Sequence, residues 1–128
     1  MNRPFVLDAS ALLCLIRDES GAPEVAALLP DSSISAVNLS EAIAKLSEIG
    51  MDEATIGAIL APLQLRVIAF DEQTALAAGL LRSRTRSAGL SFGDRACLAL
   101  AAELGAGAVT TDRAWSRIDV GVSIVPVR

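Results

Sequence analysis

The 128-residue sequence contains no histidine and no tyrosine, one tryptophan, and one lysine, Lys45. Without histidine there is no imidazole general base, no Ser-His-Asp triad, no Cys-His pair and no His-ligated metal. Lys45 is not preceded by Gly, which removes a P-loop lysine. The two cysteines, Cys14 and Cys97, each lie in an apolar run (LLCLI and RACLALA). They form neither a C-x-x-C redox pair nor a zinc site and read as buried, inert thiols. Nothing in them calls for an oxidising compartment. Long hydrophobic runs are absent as well, since none approaches the roughly 18 residues of a membrane span. The opening MNRPFVLDASALLCLI has the Arg3 and apolar stretch of a signal peptide, but Asp8 interrupts it and no small-residue cleavage site closes it. A soluble cytoplasmic protein without membrane contact is expected. Any catalysis must rest on carboxylates, hydroxyls, arginines or backbone groups.

What is present suits one packed domain over 1–128: 52% of residues are hydrophobic, and the length is enough for a real core. Eleven basic residues against fifteen acidic ones give a net charge of −4, an awkward balance for a nucleic-acid binder. The placement of the acids therefore decides more than their number.

PFVLD at 4–8 reads as a buried strand ending in a carboxylate, with a helix over 9–17 that Gly21 breaks. A short helix over 23–29 has Pro23 near its first turn. A β-branched segment follows at 34–37, then NLSEAIAKLSEIG as a helix with Gly50 at its end. Asp52 caps a helix over 52–61, and LRVIAF at 65–70 is the next strand. The Ala/Leu-rich 71–86 is helical, with Ala75, Leu76, Gly79 and Leu80 on one side. Ser91 caps a helix running to Leu104, AVTTD at 108–112 is a strand ending in Asp, 113–117 forms a turn, and 122–127 is a last strand. Strands alternating with helices predict an α/β/α sandwich around a central, mostly parallel sheet.

In such a sheet, functional groups gather beyond the carboxyl ends of the strands at a topological switch point. Asp8 and Asp112 each end a strand. Glu41 is placed in the first turn after the second strand, and Asp94 lies three residues after the cap Ser91. Singly, each has an ordinary role as a turn or helix-start residue. Together on one edge they would repel and raise one another's pKa values unless a cation neutralised them. A hard divalent ion with oxygen ligands, Mg²⁺ or Mn²⁺, is the natural partner for such a set.

VLDASAL (6–12), NLSEA (38–42), LSFGDRACLALA (90–101) and TTDRAW (110–115) resemble, in order and spacing, the four signature blocks of PIN domains. The nearest likeness is to the VapC-type toxins of bacterial toxin–antitoxin modules. GDRACLALA followed by TTDRAW is the most specific part, and the resemblance spans nearly the whole chain. It implies a PIN-like fold and a Mg²⁺- or Mn²⁺-dependent endoribonuclease with Asp8, Glu41, Asp94 and Asp112 as its acidic site. Asp8 and Asp94 would be the principal metal-holding acids, with Glu41 and Asp112 completing the site directly or through water. Ser10 and Thr111 match supporting hydroxyl positions. The resemblance also implies an RNA substrate, a homodimer, and a cognate antitoxin that covers the groove.

Metal-assisted hydrolysis in a protein without histidine is expected to leave a 5′-phosphate and a 3′-hydroxyl. The cluster RSRTRS at 82–87 supplies Arg82, Arg84 and Arg86, and Arg82 and Arg86 are spaced to share a helix face. These three, with Arg95 and Arg113, are the candidates for meeting RNA phosphates. The plainer alternative for the cluster is a solvated helix end whose charge suits the helix dipole. Rival folds fit less well. A receiver-like phosphorylation switch needs a second acid after Asp8 and a late-strand Lys. A haloacid-dehalogenase-like phosphatase needs Asp-x-Asp, where Ser10 stands instead. A metal-dependent adhesion module needs Asp-x-Ser-x-Ser, which Leu12 breaks. A catalytically silent PIN-fold binding module is the remaining alternative.

Overall fold

A computed structural model describes residues 3–128. Strand β1 (Phe5–Leu7) leads into helices α1 (Ala9–Ile16) and α2 (Ala22–Leu28). Strand β2 (Ser32–Ser35) runs directly into α3 (Ala36–Glu48), which is followed by α4 (Glu53–Leu60). Strand β3 (Arg66–Ile68), α5 (Glu72–Arg84) and α6 (Phe92–Leu104) precede β4 (Gly107–Thr110) and β5 (Ile124–Pro126). The five strands lie in the order β3-β2-β1-β4-β5, and every neighbouring pair is parallel.

Local chemistry sets the helix starts. Asp8, Ser35, Asp52, Asp71 and Ser91 stand at N-cap positions, and each accepts a backbone N–H two or three residues ahead. Such caps satisfy amides that the helix itself leaves unpaired. Gly21, which starts α2, has φ of +102°, and a Cβ there would stand 2.8 Å from the Val127 carbonyl oxygen. Both the backbone conformation and the close approach therefore call for glycine.

Alternation along the inner strands divides the core between the two faces of the sheet. Val6 and Ala108 pack with Leu81, Leu98 and Trp115 on one side. Leu7, Ile34 and Val109 pack with Leu12 and Val25 on the other. Trp115 is completely buried, so the 3₁₀ turn Arg113–Arg117 is anchored to the core beside β4. Cys14 and Cys97 are both buried and free, and burial pushes each thiol's pKa upward, as expected of inert cysteines.

Two expectations need correction. The second strand is 32–35 rather than 34–37, so Val37 is helical and Glu41 is the sixth residue of α3, beyond its first turn. Ser32, Ser33 and Ser35 carry little strand propensity, yet β2 is paired on both sides, and that tertiary pairing decides its state. Helix α5 ends at Arg84, and Arg86 begins a separate 3₁₀ turn, so Arg82 and Arg86 do not share a helix. The Leu76 and Leu80 side of α5 faces outward, each residue 65% exposed, while Thr74, Ala78 and Leu81 are buried. Among the described residues no helix is long and apolar enough to cross a membrane.

Candidate active site

From β1 the chain steps outward to β2 and β3, then returns to place β4 and β5 on β1's other side. The switch point is thus the β1/β4 seam, where α/β proteins open a crevice beyond the strand ends. Asp8 sits at this seam, and its N–H donates to the Val109 carbonyl at 3.0 Å. Asp8 is 5% exposed, and its Oδ1 accepts from the Ala11 N–H at 2.8 Å and the Ser10 hydroxyl at 2.6 Å. Burial pushes the Asp8 pKa up to about 6. The bonds from Ser10, Thr110 and Ala11 pull the other way, while the nearby Asp94 charge adds to the rise.

Asp94, in the first turn of α6, closes a capping box. Its N–H donates to Ser91 Oγ at 3.1 Å, and its Oδ2 accepts the Ser91 N–H at 3.0 Å. Asp112 begins the turn after β4, where Oδ1 accepts the Ala114 N–H at 2.9 Å and its own N–H donates to Thr110 Oγ1 at 3.0 Å. Glu41 reaches in from α3, with Oε1 accepting from Asn38 Nδ2 at 2.9 Å. Burial raises its pKa, the Asn38 bond lowers it, Asp94 raises it, and Lys45 one turn further along α3 lowers it.

The four acids, from four separate segments, line one cleft of about 220 Å³ together with Ser10, Asn38 and Lys45. Among the described residues, no three His, Cys, Asp or Glu side chains converge into a set that holds an ion as they stand. The donor chemistry nonetheless fits a hard ion. Every acidic ligand available is a carboxylate oxygen, and burial raises the Asp8 and Glu41 pKa values, with the Asp94 charge adding to each. Mg²⁺ typically keeps several waters and takes one or two carboxylates, so it does not require a closed protein cage. A cleft with spaced carboxylates suits that mode.

Of the two supporting hydroxyls expected, Ser10 stands where expected, and the second belongs to Thr110 in place of Thr111. Ser10 binds Asp8 directly and stands 3.4 Å from Thr110 Oγ1. Thr111 takes part through its backbone N–H, which donates to Ser10 Oγ at 3.0 Å. The buried hydroxyl beside Asp8 belongs to Thr110, the last residue of β4. Asn38 and Lys45 are further cleft residues that the sequence reading does not single out. A usable signal exists for Asn38: it opens the buried 38, 42, 46 stripe of α3, where the other members are apolar.

The candidate arginines divide. Arg95 Nη1 donates to the Ala78 carbonyl at 3.0 Å, and its guanidinium stands 5.9 Å from the centroid of the Phe92 ring. Arg113 Nη2 donates to the Arg128 carbonyl at 3.0 Å. Arg95 is thus engaged within the fold, while Arg113 is exposed beside the last residue. Arg82, Arg84 and Arg86 are exposed. Of these, Arg84 lines an adjoining cleft of about 460 Å³ that also contains Asp94, Asp112 and Arg117. Arg117, like Lys45, is a cation that the sequence reading leaves out.

Fold and cleft together define the class: an all-parallel α/β domain with carboxylates collected at its switch point. The chain belongs to the PIN domain family, whose model matches residues 5–121. Comparison with curated proteins finds no match. Among solved structures, it is similar to a chain of VapBC2 from Rickettsia felis bound to a fragment of promoter DNA. That match has a TM-score of 0.75 and 18% identity, covering 97% of this chain and 98% of the other. DNA-bound VapBC from Salmonella typhimurium matches with a TM-score of 0.75 at 23% identity, covering 97% of each chain. VapBC-1 from nontypeable Haemophilus influenzae matches with a TM-score of 0.70 at 21% identity, covering 95% and 96%. At these identities the likeness is one of fold.

Proposed function

We propose that this chain, a single PIN domain over 1–128, is a metal-dependent endoribonuclease and the toxin half of a toxin–antitoxin pair. The observation that carries the reading is the meeting of Asp8, Glu41, Asp94 and Asp112 in one cleft at the β1/β4 switch point. The toxin assignment is supported by family membership and by the fold likeness to chains of VapBC complexes. A cytoplasmic location, an antitoxin covering the cleft and a homodimer belong to the same reading.

Asp8 and Asp94 are the principal ligands for Mg²⁺ or Mn²⁺, with Glu41 and Asp112 completing the set directly or through water. When bound, such an ion polarises a phosphodiester and lowers the pKa of a coordinated water. Ser10 and Thr110 orient the Asp8 carboxylate, and the Ser91 box holds Asp94 at the start of α6. Lys45 stands at the cleft and can meet a phosphate oxygen. Arg84 and Arg117, on the adjoining cleft, extend that positive surface along the strand leaving Asp94 and Asp112. With no imidazole to take the proton of the 2′-hydroxyl, the products are a 5′-phosphate and a 3′-hydroxyl.

The test is cleavage of RNA with Mg²⁺ or Mn²⁺ by the wild type, Asp8→Asn and Asp94→Asn. Asparagine preserves an acceptor oxygen for the Ala11 and Ser91 N–H groups, so the caps survive while the charge is lost. Both variants should lose cleavage, and chelation should abolish it in the wild type. Cleavage persisting in both variants or after chelation, or a 2′,3′-cyclic phosphate product, would overturn the assignment.

A further inference from the structure

Asn38 is 1% exposed, and its Nδ2 donates to two acceptors at 2.9 Å, Glu41 Oε1 on its own helix and the Gly93 carbonyl on α6. Because both acceptors require a donor, the amide orientation is fixed: turned round, its oxygen would face a carboxylate and a carbonyl. Its Oδ1 is buried without a partner. Buried amide oxygens are normally satisfied, so the residue is held here by its two donated bonds.

Gly93 faces the same carboxylate from α6. A Cβ built at this position would collide with Glu41 Oε1, Cδ and Oε2, its three nearest neighbours. The position is helical, without the positive φ that would demand glycine on conformational grounds. Space for the Glu41 carboxylate is therefore what glycine provides.

We propose that Asn38 and Gly93 are positioning residues that lock the Glu41 carboxylate against the first turn of α6, next to Asp94, so that both acids face one divalent ion. The proposal rests on reading the acidic cleft as a metal site. It assigns a task to two uncharged residues that hold no metal themselves. Groups that orient metal ligands typically matter by about 10–100-fold in affinity.

The experiment is calorimetric titration of Mn²⁺ into the protein without RNA, alongside melting in chelator. The proteins compared are wild type, Glu41→Ala, Gly93→Ala, the Glu41→Ala/Gly93→Ala double variant, and Asn38→Ala. Gly93→Ala should weaken Mn²⁺ binding about 10–100-fold, close to the effect of Glu41→Ala. In chelator it should melt at or above the wild-type temperature, because alanine is the better helix residue and the three atoms nearest its Cβ all belong to the flexible carboxylate end of Glu41. In the Glu41→Ala background it should weaken binding no further. Asn38→Ala should weaken binding in the same direction.

Wild-type Mn²⁺ binding by Gly93→Ala, with binding weakened in Glu41→Ala, overturns the positioning proposal alone. So does a Gly93→Ala effect that is undiminished without Glu41, or loss of the folded transition in chelated Gly93→Ala. Unchanged Mn²⁺ binding in Glu41→Ala overturns the metal reading of the cleft, and this proposal with it.

Discussion

Replacing Asp8 by Asn should make the metal-free protein more stable near neutral pH, even though it removes the most buried acid of the candidate site. Asp8 is 5% exposed, and its pKa is pushed from 3.8 to about 6, chiefly by burial. A carboxyl group whose folded pKa lies above its unfolded value favours folding in its protonated form. The native state binds more protons than the unfolded chain between the two pKa values, so stability falls as pH rises through that window. Above about pH 6 the ionised group carries the full penalty. A shift of roughly two units corresponds to about 3 kcal/mol. Asparagine has the same shape, keeps an oxygen for the Ala11 N–H and the Ser10 hydroxyl, and never ionises.

In chelator near pH 8, Asp8→Asn should therefore gain up to about 3 kcal/mol in urea denaturation, or roughly 10 °C in melting temperature for a domain of this size. Near pH 4 the advantage should shrink below about 1 kcal/mol, because the native Asp8 is then protonated. A hundredfold excess of Mn²⁺ over Kd should stabilise the wild type by about 2.7 kcal/mol and erase most of that advantage, and a thousandfold excess, at about 4.1 kcal/mol, should reverse the ranking. An Asp8→Asn protein that melts at or below the wild type near pH 8 in chelator would refute the reasoning. So would an advantage that does not depend on pH.

Arg84→Ala combined with Arg117→Ala should weaken RNA binding and lower the slope of log affinity against log salt by about one to two, read by fluorescence anisotropy across a salt series. Arg95→Ala should instead lower stability, by about 1–2 kcal/mol in urea denaturation, since it loses the Ala78 carbonyl bond and the Phe92 ring face. Ser91→Ala removes the N-cap of α6 and should cost about 1 kcal/mol in the same assay. Leu76 and Leu80 offer an exposed apolar side of α5 for the proposed homodimer, so Leu76→Glu with Leu80→Glu should leave the fold intact and give a monomer by light scattering.

The parts of this molecule that are legible in sequence are those whose signal is local. An apolar run that stops at Asp8 marks the end of β1, and Ser91 with Asp94 spells out the capping box of α6. The alternation of strands and helices suffices for the α/β class, because parallel neighbours need crossover connections. Signals that depend on neighbours are not legible in this way. Three of the four residues of β2 are serines, so its state follows from its place between β1 and β3 rather than from propensity. The observed placement of β2 also removes the helix-dipole reason for Glu41, since α3 starts at Ala36. The apolar side of α5 was visible, but periodicity cannot say whether such a face meets the core or another chain.

The same distinction explains why the acids of the site could be named while the residues that aim them could not. A carboxylate after an apolar strand is conspicuous because charge is costly to bury without compensation. Asn38 and Thr110 are uncharged and short, and each reads as a boundary residue until a partner from a distant segment is known. Asn38 meets Gly93 across 55 positions, and Thr110 meets Ser10 across 100. Glycine at 93 is silent for a different reason. Its significance is the absence of a Cβ where the Glu41 carboxylate lies, and an absence acquires meaning only once α3 and α6 are packed. The net charge of −4 belongs to the same kind of aggregate quantity. It counts the acids at the β1/β4 seam equally with Asp18 or Asp31 elsewhere, although only the former share a cleft with Lys45 and adjoin Arg84 and Arg117. An anionic substrate responds to the local field near that seam, within about 8 Å at physiological salt, and the whole-chain sum does not describe it.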